Sequence, residues 1–213
     1  MNPHHFRHSA QFLHHHRQVA TILDLHGEID VGIGVRVAVV GGETSNSKGA
    51  AVISIAVTGS VEKRRWISRA GGKANDELFV TGRLGGSLRG RHLKFVPRIV
   101  ESRWLTENFP IHAMMDLSDG LGADLPRLAR ASGVGFEVDE ATLPLHPGCT
   151  TKQAISDGED YELLFAISPK DSRSLPARWR KKFPSIPLTL IGKLNSKFAI
   201  RTSKLAKGYV HFK

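Results

Sequence analysis

Apolar and polar positions along the chain fall into short runs, most of them of strand length. Val35–Val40 is a mostly apolar run ending in Gly41-Gly42, the pattern of a buried strand entering a tight loop. Ile53, Ile55 and Val57 alternate with Ser54, Ala56 and Thr58, which predicts a half-buried strand. Glu77–Thr81 predicts another strand, followed by the glycine-rich turn Gly82–Ser87. Pro97 suits the first turn of a helix running through Trp104. Ala113–Met115 is short and apolar and ends at Asp116.

From Asp119 to Ser132 the pattern changes to helical spacing. Leu121, Leu125, Leu128 and Ala129 share one face, and Gly133 is a suitable stop. Pro126 conflicts with this helix, because a proline removes an N–H and is tolerated only near the first turns. Glu162–Ile167 and Leu188–Ile191 read as strands, and Ser172–Phe183 as a surface helix. Helices and strands mix without strict alternation, which favours α+β over a doubly wound sheet. Most of the apolar patterning follows Trp66, so the better packed unit is expected there.

The length of 213 residues allows one large domain or one and a half, and a 40% hydrophobic content is enough for a core. No apolar run approaches the roughly 20 residues of a membrane helix; the longest, Ala50–Val57, is broken by Ser54. A single cysteine, Cys149, excludes an intrachain disulfide and a cysteine-rich zinc site, and makes a reducing cytoplasm the simplest location. The net charge of +10 raises the question of nucleic acid. The basic residues are scattered, however, and neither zinc-finger spacing nor an aromatic–basic RNA-binding signature is present, so no nucleic-acid partner is expected. A solvated basic surface and a cleft for a phosphorylated ligand both remain open.

Met1–His26 holds seven of the eleven histidines and no acid before Asp24. His14-His15-His16 looks like a metal-binding tract, yet the segment has no apolar core of a secretory signal. A tail or shifted start, an adventitious metal affinity and a functional site are the three readings.

Three stretches carry candidate chemistry. In Val40–Ser45, two glycines let backbone N–H groups approach phosphate oxygens, and Glu43 would then hold a magnesium ion beside them. The alternative is a plain strand-to-loop turn. In Met115–Gly120, Asp116 and Asp119 stand three residues apart at a strand-to-helix junction, able to bind hydrated Mg²⁺, with Ser118 able to donate to a phosphate. Helix capping accounts for one of these three polar residues, not all. In Ser156–Phe165, four acids abut an apolar strand and should repel one another unless a metal, an arginine cluster or a cationic ligand joins them; the alternative is a plain acidic turn before a strand.

Taken in order, these stretches resemble thiamine-monophosphate kinase, of the ATP-binding superfamily that includes aminoimidazole ribonucleotide synthetase. The matching segments are Val40–Thr44, Arg69–Lys73 with Asp76, Val80–Ser87, Met115–Leu121, Ser132–Gly135, Gly158–Phe165, Ile191-Gly192 and Gly208–Phe212. Gly158-Glu-Asp-Tyr-Glu-Leu-Leu-Phe165 is the most specific of them, and the kinase usually has Asp where Glu43 stands. The resemblance implies ATP- and Mg²⁺-dependent phosphorylation of thiamine phosphate to thiamine diphosphate by direct in-line transfer. It implies Glu43, Asp116 and Asp119 as magnesium ligands, Gly42, Arg69 and Ser118 as ATP contacts, and Glu159 and Tyr209 as thiamine contacts. A carboxylate and an aromatic ring suit that cationic heterocycle. A homodimer in the intact family fold follows from the same resemblance.

The family's upstream Gly-Asp-Asp-Ala, Thr-Thr-Asp and Asn-x-Ser-Asp motifs do not occur here; Met1–Asp30 stands in their place. The expected architecture is α+β: a His-rich tail over 1–30, a remnant of an amino-terminal α/β ATP-binding domain over 31–65, and a carboxy-terminal mixed-sheet α/β domain over 66–213. A truncated kinase with little activity of its own is the leading expectation. Another superfamily enzyme such as the synthetase, or a non-catalytic nucleotide-binding remnant, is the alternative.

Overall fold

The structure is a computed structural model. It describes residues 66–196, Val61, and the backbone of four short strands nearer the amino terminus. The chain divides into two compact units, Met1–Gly59 and Ser60–Lys213. In the first unit, β1 (Thr21–Ile22) pairs antiparallel with β4 (Glu43–Thr44), and β2 (Gly27–Asp30) with β3 (Arg36–Val39). The expected strand over Ile53–Val57 lies outside the described residues.

The second unit is built on a five-stranded sheet. In chain order its strands are β5 (Glu77–Thr81), β6 (Ala113–Asp116), β7 (Gly135–Val138), β8 (Leu163–Ile167) and β9 (Leu188–Asn195), arranged β6-β8-β5-β9-β7. The helices are α1 (Ile99–Asn108), α2 (Leu121–Ser132), α3 (Thr151–Ser156), α4 (Pro169–Ser172) and α5 (Leu175–Lys182). The α+β class agrees with the sequence reading. That reading expects a mixed sheet, whereas all four strand pairings of this sheet are antiparallel.

Strand alternation sorts the core into two layers. Leu78, Val80, Leu164 and Ala166 join Leu121, Leu125 and Leu128 of α2 and Ile155 of α3. Phe79, Phe165 and Ile167 face the other way, against Leu105 of α1 and Leu175 and Trp179 of α5. A strand buried on both faces needs apolar residues at every position, which is why Leu163–Ile167 reads as an unbroken run. Phe79 and Phe165 stack at 5.7 Å across the β5–β8 pair.

Helix ends follow local chemistry. Gly133 closes α2 at φ 69°, donating its N–H to Ala129 and Arg130 oxygens. Pro126 lies inside that helix, which continues past it. The helix expected from Pro97 begins two residues later, at Ile99, and runs to Asn108. Ser172–Phe183 is split between α4 and α5, each with a proline in its first turn.

Candidate functional site

Strands β5 and β6 both run antiparallel to β8, so their carboxy-terminal ends lie at the end of the sheet where β8 begins. Three loops therefore meet there: Gly82–Ser87 after β5, Leu117–Gly120 after β6, and Asp157–Glu162 before β8. Backbone bonds lock the last two together. The Leu117 N–H donates to Glu162 O at 2.8 Å, Glu159 N–H to Ser118 O at 2.7 Å, and Tyr161 N–H to Leu117 O at 2.9 Å. The approach is close enough that a Cβ on Gly158 would stand 2.8 Å from Ser118 O.

The acidic stretch is mostly consumed in building this junction. Asp157 accepts the Gly86 N–H at 2.8 Å, and Asp160 accepts the Gly85 N–H at 3.0 and 3.2 Å. Glu162 receives a two-pronged bond from Arg98 at 2.7 and 2.6 Å, and the Thr81 hydroxyl at 2.7 Å. Thr81 in turn accepts the Leu163 N–H at 2.8 Å, tying β5 to β8. An arginine and backbone dipoles thus supply the positive partners that the sequence demands. Burial pushes the Asp160 carboxyl up to about 6, against the pull of the Gly85 N–H and of Arg91 at 3.4 Å.

Glu159 is the remaining acid of the four, with about a third of its side chain exposed and the His92 ring at 3.9 Å. Glu159 and Tyr161 both adopt left-handed backbone, φ 63° and 52°. Their side chains stay partly exposed while Asp160 and Glu162 turn inward at 1% and 8% exposure.

On the facing loop, Asp116 is exposed at the end of β6. Helix capping does not explain Ser118 or Asp119: the N-cap of α2 is Gly120, with no side-chain cap bond. Instead the fully buried Asp124, inside the first turn, accepts the N–H groups of Ser118 at 2.9 Å and Asp119 at 2.8 Å. Burial raises the Asp124 carboxyl, opposed by the Asp119 N–H and Arg127. Arg127 donates to Asp124 at 2.7 Å and also to Asp119, whose hydrogen bond holds the guanidinium above its ordinary value. Asp116 and Asp119 offer hard oxygen donors, the type magnesium takes. Among the described residues, however, no three His, Cys, Asp or Glu side chains form a metal-holding group.

Ser118, Asp116, Asp119 and Glu159 are therefore brought to one junction. Arg69 comes from a separate stretch: its carbonyl accepts the Ser132 hydroxyl at 3.2 Å at the end of α2, and the carbonyl of the preceding Ser68 accepts the Met114 N–H of β6 at 3.0 Å. Gly42 and Tyr209 lie outside the described residues, and Glu43 is described only by its backbone in β4. Sequence reasoning missed Arg98, Thr81, Asp124 and Arg127. Their roles arise from contacts up to 82 residues apart, except for Asp124 and Arg127, whose three-residue spacing is a readable helix pair.

The sequence profile described as AIR synthase related protein, C-terminal domain, matches residues 34–176. A thiamine-monophosphate kinase from Rhodopirellula baltica is 35% identical over 195 residues, covering 83% of this chain and 60% of the relative. The thiamine-monophosphate kinase from Bacillus subtilis is 30% identical, over 82% of this chain and 64% of its own. The chain thus spans 60–64% of the length of these two relatives. The crystal structure of thiamine-monophosphate kinase from Stenotrophomonas maltophilia K279a superposes with a TM-score of 0.57 at 24% identity, covering 71% of this chain and 54% of the other, a likeness of fold.

Proposed function

The chain belongs to the AIR synthase related family, and on that premise we propose that it serves ATP-dependent phosphorylation of thiamine phosphate to thiamine diphosphate. The observation that carries the reading is the 2.7 Å bond from the Glu159 N–H to Ser118 O. It fixes the backbone of Glu159, whose carboxylate suits a cationic heterocycle, beside that of Ser118, which stands in sequence between the carboxylates of Asp116 and Asp119, suited to a metal-bound phosphate. In the reaction, an oxygen of thiamine phosphate forms a bond to the γ-phosphorus of ATP while the bond to the β–γ bridging oxygen breaks and ADP leaves. Such transfer depends on alignment and charge neutralisation rather than on a covalent enzyme intermediate.

Asp116 and Asp119 would hold magnesium, which supplies charge neutralisation on the phosphates when bound; Glu43 is a magnesium ligand by sequence resemblance. Ser118 donates to a phosphate, Arg69 and Gly42 contact ATP, and Glu159 and Tyr209 receive the thiamine moiety. Asp124 fixes the Ser118–Asp119 backbone, so that the ligand-facing groups are set before anything binds. The domain division at 30 and 65, a homodimer, and a cytoplasmic location are parts of the same proposal. The lone Cys149 suits a reducing compartment.

Calorimetric titration tests the assignment. Asp119→Asn is expected to weaken Mg²⁺-dependent ATP binding, and Glu159→Gln to weaken thiamine phosphate binding, each with the fold intact by circular dichroism. Unchanged binding in both variants would overturn it.

A further inference from the structure

The three site loops leave one prominent group unused. Tyr161 stacks on Phe95, ring centroids 4.1 Å apart and planes 26° from parallel. Its N–H is pinned to Leu117 O at 2.9 Å, two residues from the Glu159 N–H on Ser118 O, so both side chains rise from one rigid stretch. Phe95 itself is 43% exposed, and Leu93 and Val96 beside it are exposed as well. A left-handed backbone at a non-glycine residue is costly and persists where surrounding contacts impose it. Tyr161 stays half-buried, whereas its neighbours Leu163 and Leu164 are buried, one in each core layer. Burial chiefly, and then the charges of Glu159, Asp116 and Asp119, hold its phenol above the ordinary value.

We infer that Tyr161, backed by Phe95, is the aromatic seat for the cationic ring of the substrate, with Glu159 beside it as the counter-charge. The inference rests on the thiamine phosphate reading and adds a specificity residue to it. Phe95 covers one face of the tyrosine, and the ligand takes the other. A cation over an electron-rich ring is attracted by the quadrupole, an attraction that Glu159 strengthens and that a neutral ring would not share. Discrimination between thiamine phosphate and an uncharged aromatic phosphate follows.

The test replaces residue 161 in the full chain with phenylalanine and with progressively fluorinated phenylalanines, which keep the shape and drain the ring of electron density. Thiamine phosphate and phenyl phosphate, a ring and phosphate without the positive charge, are titrated into each. Thiamine phosphate Kd should rise stepwise, by about fivefold or more across the series, while phenyl phosphate stays flat. Phe95→Ala should weaken thiamine phosphate binding as well. A flat thiamine phosphate series, with Glu159→Gln still weakening binding, would overturn the aromatic seat and leave the substrate reading standing. No thiamine phosphate binding by the unaltered chain would overturn both.

Discussion

Asp160→Asn isolates the energetic cost of the acidic loop. The Asp160 side chain is 1% exposed and held by the Gly85 N–H, and its carboxyl is pushed from 3.8 to about 6 by burial. Because the folded-state value lies above the unfolded one, the folded chain binds this proton more tightly. That contribution to stability is fully present below about pH 4 and is lost as pH rises through about 6. At about 1.4 kcal/mol for each tenfold change in proton affinity, the loss amounts to about 3 kcal/mol. The asparagine keeps an oxygen for Gly85 and cannot ionise. Urea unfolding followed by tryptophan fluorescence, run from about pH 4 to about pH 7.5, gives both stabilities. The variant should gain about 2 kcal/mol on the parent across that range, the remainder being lost below its lower end. Parallel curves, or a swing toward the parent, would refute the reasoning.

Two further substitutions probe the frame around the site. Gly82 sits at φ 62°, and a Cβ there would stand 2.0 Å from the Glu162 carboxylate that Arg98 and Thr81 already hold. Gly82→Ala should therefore cost at least about 3 kcal/mol in the same unfolding assay, and a cost under 1 kcal/mol would mean the Glu162 fork is not rigid. Trp179→Ala removes a side chain 1% exposed, together with its indole bond to Ile186 O at 2.7 Å, and should cost about 3–5 kcal/mol. Thermal melting checks this, and a near-neutral result would deny α5 its part in the second core layer.

Local pattern carried much of this architecture. Glu77–Thr81 is a strand over the very residues that the sequence marks as one, and the helical spacing from Asp119 to Ser132 locates α2. Shorter pieces escaped notice: β7 has four residues, and α3 has six, with two of them buried. The Thr150–Gln153 capping box was a signal that could have revealed α3. At the site, the sequence shows that four clustered acids need partners, but not which ones. Arg98 reaches Glu162 from 64 residues away, and Gly85 and Gly86 offer N–H groups that no side-chain pattern announces. Once those bonds absorb Asp157, Asp160 and Glu162, Glu159 is left as the acid facing outward, a distinction that depends on the fold.

Phosphorus NMR of the γ-phosphate follows the central claim itself. The chain is fused to the portion of the Rhodopirellula baltica relative that it does not cover, and supplied with Mg²⁺, ATP and thiamine phosphate. The expected result is thiamine diphosphate appearing as ATP is converted to ADP, with the product abolished by Glu159→Ala and by Asp119→Asn. Product formed at an undiminished rate by both variants, or ATP converted only to ADP and free phosphate, would contradict the placement of phosphate and substrate at this junction.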